Sequence, residues 1–139
     1  MNVHIEQIRP ELTWKLRQQV LYPAQKLYEM ELAEDEGGWH FGAFKDDALV
    51  GVVSLFSVDD IFQFRKLAIA DAVQKMGIGS SLLSYITGFS KSEGAEMLWC
   101  NARTTAINFY LKAGFVQTGN VFSKNGFDYE IMQKAIDKA

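Results

Sequence analysis

The chain has 139 residues, 48% hydrophobic and 22% charged, with a formal net charge of −3. That make-up predicts one globular domain over residues 1–139, large enough to bury a core. The acidic balance argues against a nucleic-acid partner; no apolar run reaches membrane-spanning length, and residues 1–10 lack a signal-peptide core, so a cytoplasmic location is expected.

Val3–Ile8 reads as a short strand with imperfect alternation of Val3, Ile5 and Ile8. Leu12, Leu16 and Val20 step by four, which predicts a helix over 12–20 that Pro23 limits. Five carboxylates follow (Glu29, Glu31, Glu34, Asp35, Glu36), then Gly37-Gly38, a pattern expected of a mobile loop or frayed helix. Residues 40–44 and 48–56 are strand-like and flank Lys45-Asp46-Asp47, a hairpin signal, and Ile61–Ile69 has the period of a third strand. Beyond it, Ile78, Leu82, Ile86 and Phe89 form a helical stripe ending before Gly94, and residues 97–100 form a strand. Ala106, Phe109, Tyr110 and Ala113 follow an i, i+3, i+4, i+7 pattern closed by Gly114, a C-cap residue. Residues 116–122 and 127–132 flank Ser123-Lys124-Asn125-Gly126, whose Asn-Gly pair favours a tight hairpin. The resulting order, β-α-(α)-β-β-β-α-β-α-β-β, predicts a mixed α/β domain around a central sheet and excludes all-helical and all-β chains.

Cys100 is the sole cysteine and His4 and His40 the only histidines, so no disulfide can form within the chain and no metal site is expected. The chemistry concentrates in "QKMGIG", Gln74 to Gly79, between a strand and a helix. Such a turn makes a nest of backbone N–H groups at a helix start, where unpaired donors and the helix dipole favour a phosphate. Gly77 and Gly79 would admit the ligand, Ser80 and Ser81 would add hydroxyls, and Lys75 would add charge. The Walker and dinucleotide glycine patterns are both absent. Taken alone, the glycines are equally explained by a turn that packs a helix tightly on a strand.

Gln74-Lys75-Met76-Gly77-Ile78-Gly79 resembles the pyrophosphate loop of the GNAT superfamily of N-acetyltransferases. "NARTTAINFYLKAGF" (101–115) resembles its second signature, filled by Ala106, Phe109, Tyr110, Gly114 and Phe115. The likeness extends over about residues 41–132, closest to small bacterial members. It implies a mostly antiparallel central sheet with helices on both faces, and acetyl-CoA as acyl donor. It also implies a cofactor set of Leu67, Ala68, Ile69, Gln74, Lys75, Met76, Gly77, Ile78, Gly79, Ser80, Asn101, Arg103 and Asn108. The backbone of Leu67–Ile69 would pair with the pantetheine arm, and Tyr110 would protonate the leaving thiolate, a role for a hydroxyl of ordinary pKa about 10. On its own helix, Tyr110 reads as a core aromatic.

Two positions depart from the pattern. Gln63 stands where several members carry a glutamate base, and Arg103 where many carry an asparagine. Arg103 would reach a CoA phosphate or lie at the surface, and Asn108 is as readily a solvated helix residue. The remaining base candidates are Glu34, Asp35, Glu36, Asp59, Asp60 and, by residue type, His40, which otherwise reads as a structural strand-end group. A water chain would serve equally. Arg17, within "LRQQVLYP", would bind an acceptor carboxylate or pair with the acidic run; that run would attract a cationic amine or simply be solvated. Trp14, Tyr22, Tyr28 and Trp39 would line an acceptor pocket or pack the core. Cys100 would carry an acyl group or, more simply, be a buried apolar residue. The expected function is acetyl transfer to a small-molecule or peptide amine by a monomer or homodimer, with no nucleic acid or membrane partner. The alternatives are a non-catalytic acyl-CoA-binding domain and a transferase of longer acyl groups, decided by space near Phe62, Phe64 and Phe109.

Overall fold

A computed structural model describes residues 3–137. Its strands are β1 (Val3–Ile8), β2 (Trp39–Lys45), β3 (Ala48–Val58), β4 (Ile61–Ile69), β5 (Met97–Arg103), β6 (Val116–Lys124) and β7 (Phe127–Ala135), and its α-helices α1 (Trp14–Leu16), α2 (Ile78–Ser92) and α3 (Ile107–Lys112). The strands lie in the order β1-β2-β3-β4-β5-β7-β6. Pairs β1–β2, β2–β3, β5–β7 and β6–β7 are antiparallel, and β4–β5 is parallel. This is the mixed α/β class that the element order predicts, with the mostly antiparallel sheet that the resemblance implies. The described residues fall into two compact units, 3–56 with 64–86, and 57–63 with 87–137.

In the first unit, Asp46 (φ 51°) and Asp47 (φ 67°) turn β2 into β3; two consecutive left-handed residues match the twist of a tight hairpin. The two faces of β3 are committed differently. On one, Val52 packs with Leu16 and Ala68, bordered by Ile8, Val20, Leu21, Leu49 and Ala70. On the other, Gly51 lets α2 approach: a Cβ there would sit 2.9 Å from Ile69 Cδ1, 3.1 Å from Leu82 Cδ1 and 3.3 Å from Ile78 Cγ2. Gly51→Val should therefore destabilise the protein by about 1–3 kcal/mol, measured by denaturant unfolding. An unchanged midpoint would mean that the helix can back away.

The segment after β1 differs from the single helix expected over 12–20. It consists of a 3-10 turn (Pro10–Thr13), one α-helical turn (α1) and a wide π-helical turn (Arg17–Leu21), where the Tyr22 N–H reaches both Arg17 O and Gln18 O at 3.2 Å. The buried positions are Thr13, Leu16 and Arg17, while Leu12 is 41% exposed. The acidic stretch also differs from a mobile loop. Leu27–Met30 and Asp35–Gly37 are 3-10 turns, and Met30 and Asp35 are buried.

In the second unit, β5 alternates buried Leu98, Cys100 and Ala102, and Cys100 lies opposite buried Met132 of β7. α3 closes as Gly114 predicts: Gly114 adopts φ +93°, its N–H bonds Leu111 O at 3.0 Å, and the Phe115 N–H bonds Tyr110 O at 3.1 Å. Asn125 (φ 53°) and Gly126 (φ 82°) make the β6–β7 hairpin, and both strands run past their expected ends.

Candidate active site

β4 ends at Ile69, and a 3-10 turn, Asp71–Val73, leads to the glycine loop. The Gln74 side-chain amide folds back onto Ile69 O and Asp71 Oδ1, both at 3.0 Å, which fixes the loop's entry. Lys75 (φ 65°) and Gly77 (φ 87°) are both left-handed, and α2 begins directly after them. The Ser81 N–H makes the helix's first bond, to Gly77 O at 3.0 Å, leaving the N–H groups of Ile78, Gly79 and Ser80 without an intrahelical acceptor. The Ser81 hydroxyl donates to the same carbonyl, also at 3.0 Å, so it caps the turn rather than adding a ligand donor. Residues 74–77 and Ser80 are exposed, and Ile78 is buried. A Cβ at Gly77 would meet nothing within 4 Å, so conformation and not packing requires glycine there. The close strand–helix approach belongs to Gly51.

β4 carries the other feature of this unit. Lys66 adopts φ 58° in mid-strand, a conformation L-residues avoid at a cost of about 1–2 kcal/mol. Its Nζ donates a hydrogen bond to the Tyr22 hydroxyl and lies 4.5 Å from the centre of that ring. Arg65 beside it pairs with Glu34 at 3.4 Å and lies 5.8 Å from the Phe56 ring centre. Ala68 and Ile69 commit their side chains to packing, which leaves backbone as what they can offer a ligand.

His40 and Arg17 sit together in a buried cluster. Arg17 is 1% exposed and forks onto Asp35, NH1 to Oδ2 at 2.9 Å and NH2 to Oδ1 at 3.0 Å, with further bonds to Met30 O and Ser54 Oγ at 2.9 Å. His40 lies 2.7 Å from Ser54 Oγ through Nδ1 and 2.7 Å from Asp35 O through Nε2. Burial opposes the Asp35 charge, but the Arg17 hydrogen bond, the Leu32 amide and the Arg17 charge outweigh it and hold the carboxyl below its ordinary 3.8. With both ring nitrogens engaged and 2% exposure, His40 presents no open nitrogen to a substrate ammonium. These contacts fit the structural reading of His40, and Arg17 takes the ion-pair reading.

In the second unit, Tyr110 is buried, with the Phe109 and Phe115 rings edge-on at 5.1 and 6.0 Å. Burial pushes its phenol above the usual 10; Cys100 nearby adds to this and Arg103 opposes it. Burial likewise pushes the Cys100 thiol up to about 12, which disfavours a thiolate nucleophile. Arg103 is half-buried, its guanidinium 3.9 Å from the Phe127 ring centre, while Asn101 and Asn108 are exposed. Gln63 is half-buried and pairs with Trp99 in the short parallel ladder of Ile61–Gln63 with Met97–Trp99.

The model of a known family, described as an acetyltransferase (GNAT) domain, matches residues 6–136. The chain belongs to the GNAT acetyltransferases. A GNAT relative, the uncharacterised N-acetyltransferase YitI of Bacillus subtilis (strain 168), is 26% identical over 139 residues, covering 94% of this chain and 93% of that protein. Two solved structures share the GNAT fold. An IAA acetyltransferase from Bacillus cereus ATCC 14579 superposes with a TM-score of 0.79 at 20% identity, covering 96% of this chain and 99% of that one. A GNAT family acetyltransferase from Elizabethkingia anophelis, solved with acetyl-CoA bound, gives 0.74 at 19% identity, covering 96% and 98%. Among the described residues of this GNAT chain, no helix is long and apolar enough to cross a membrane.

For a GNAT sequence, three features escaped pattern reading: the left-handed Lys66, the buried Ser54 and the inward-facing Asp35. Lys66 had one signal, as the second of two adjacent polar residues where the apolar alternation shifts from Phe62 and Phe64 to Leu67 and Ile69. Asp35 is masked by the exposed carboxylates around it. Ser54 had one signal, a lone hydroxyl among Val52, Val53 and Leu55.

Proposed function

We propose that this chain transfers an acetyl group from acetyl-CoA to a primary amine by direct attack, in the cytoplasm. The amine nitrogen bonds the acetyl carbon, the carbon–sulfur bond breaks, the nitrogen loses a proton, and the thiolate is stabilised by a donor and finally protonated. The observation that supports this reading most is the left-handed turn at Lys75 and Gly77 into the open first-turn amides of α2, in a chain of this family. In this reading the loop from Gln74 to Ser80 holds the CoA pyrophosphate, with Lys75 adding charge; Arg103, Asn101 and Asn108 add polar contacts. The backbone of Leu67, Ala68 and Ile69 pairs with the pantetheine arm, and N–H groups near Leu67 polarise the carbonyl. Tyr110 is the donor to the leaving sulfur. Because His40 is engaged, the amine's proton leaves through water. The segment Tyr22 to Gly38 forms the acceptor wall.

The decisive experiment measures thiol release from acetyl-CoA with a panel of polyamines, amino acids, peptide N-termini and lysine derivatives. Acetylation of at least one amine, confirmed by mass, supports the reading. Acetyl-CoA binding with no responsive amine would favour the non-catalytic acyl-CoA-binding alternative, which Gln63 keeps open. Gly77→Val tests the loop: it should weaken acetyl-CoA binding about tenfold or more while costing roughly 1–2 kcal/mol of stability. Unchanged affinity in a folded variant would remove the pyrophosphate assignment.

A further inference from the structure

The transfer chemistry proposed above assigns no step to the cluster of Arg17, Asp35, Ser54 and His40, yet each of its side chains is 3% exposed or less. Burying polar groups this fully is costly, and an apolar replacement is often as stable, so stability alone is a poor account of it. Its bonds identify what it joins. The Asp35 carbonyl can only accept, so His40 Nε2 carries the hydrogen; Nδ1 then accepts from the Ser54 hydroxyl, whose oxygen accepts from Arg17 NH2. Ser54 Oγ is the atom that links guanidinium to imidazole.

The chain held by these bonds is the acidic segment. Arg17 grips Met30 O and the Asp35 carboxylate, and that carboxylate also takes the Leu32 N–H at 2.9 Å, closing a turn. From that turn Glu34 reaches Arg65 on β4, and upstream Tyr22 accepts from Lys66, the next residue of the strand. The stretch from Tyr22 to Asp35 is thus tied twice to β4 beside Leu67.

We propose that Arg17, Asp35, Ser54 and His40 are positioning residues: a buried clasp that holds the acidic segment on β4 and so sets the affinity for the acceptor, without contacting acetyl-CoA. This rests on the acetyltransferase reading, in which that segment is the acceptor wall. Ser54→Ala removes one oxygen and leaves the Arg17–Asp35 pair. Hydrogen exchange across residues 31–37 should quicken about tenfold, and acceptor KM should rise about tenfold with kcat and the acetyl-CoA Kd unchanged. Ser54→Thr, which keeps the hydroxyl, should return both toward wild type. The proposal is overturned if folded Ser54→Ala shows neither change, if kcat and cofactor binding fall together with KM, or if Thr behaves as Ala does. If the wild type acetylates no amine, the acetyltransferase reading falls and takes the acceptor role with it, while the exchange measurement still decides whether the clasp orders the segment.

Discussion

Tyr110→Phe is expected to lower kcat about 100-fold, as loss of one transition-state donor does, with acetyl-CoA affinity little changed. The phenol loses only its hydroxyl, so the ring contacts with Phe109 and Phe115 survive and folding should not suffer. The raised pKa sharpens what the hydroxyl does. An alkyl thiol titrates at about 8.5, so a phenol above its ordinary value keeps its proton when it meets the leaving thiolate. In the proposed mechanism Tyr110 would therefore act by a charge-assisted hydrogen bond to the developing negative charge, with solvent completing the protonation. The pH profile follows in sign. A donor works while protonated, so activity carried by Tyr110 is present below its pKa and lost above it; with that pKa raised, kcat should show no falling limb from this group up to about pH 10. Full activity of Tyr110→Phe on a responsive amine would refute the assignment, and a limb near pH 9 that vanishes in the Phe variant would refute the pKa argument.

How much could be read beforehand depends on whether the cause was local. β4 matches its expected bounds because period-two patterning is a local signal, and the Asn125-Gly126 hairpin and the Gly114 cap are equally local. The wide turn at Arg17 was not legible. Steps of four at Leu12, Leu16 and Val20 do not distinguish a continuous helix from one whose pitch changes, and the partners that draw Arg17 inward, Asp35 and Ser54, lie 18 and 37 residues away. Once an arginine is buried the stripe rotates by one position, so Thr13 is covered and Leu12 is left out. The same distance hid the fate of the acidic run: composition makes five carboxylates look solvated, and one long-range ion pair orders the turn. In the site, residue type pointed to the loop through its glycines, whereas the strained backbone at Lys66 has no counterpart in residue type.

The largest stability effect should come from breaking that ion pair on one side. Asp35→Asn leaves the Arg17 guanidinium buried without its counter-charge, and such one-sided losses cost about 3–5 kcal/mol. Replacing both partners, as in Arg17→Met with Asp35→Leu, should recover part of this, because no charge then remains in the interior. The pH dependence separates charge from shape. Asp35 titrates below its ordinary 3.8, so the stability it contributes is complete above the unfolded value and is lost as the pH falls through the lower folded value. The gap between wild type and Asp35→Asn should hold steady from neutral pH down to about pH 4 and narrow below it, where wild type must also protonate. Denaturant unfolding at several pH values between neutrality and pH 3 would measure it. A gap that did not narrow at all between pH 4 and pH 3 would mean that the carboxylate's charge is not what holds Arg17 in place.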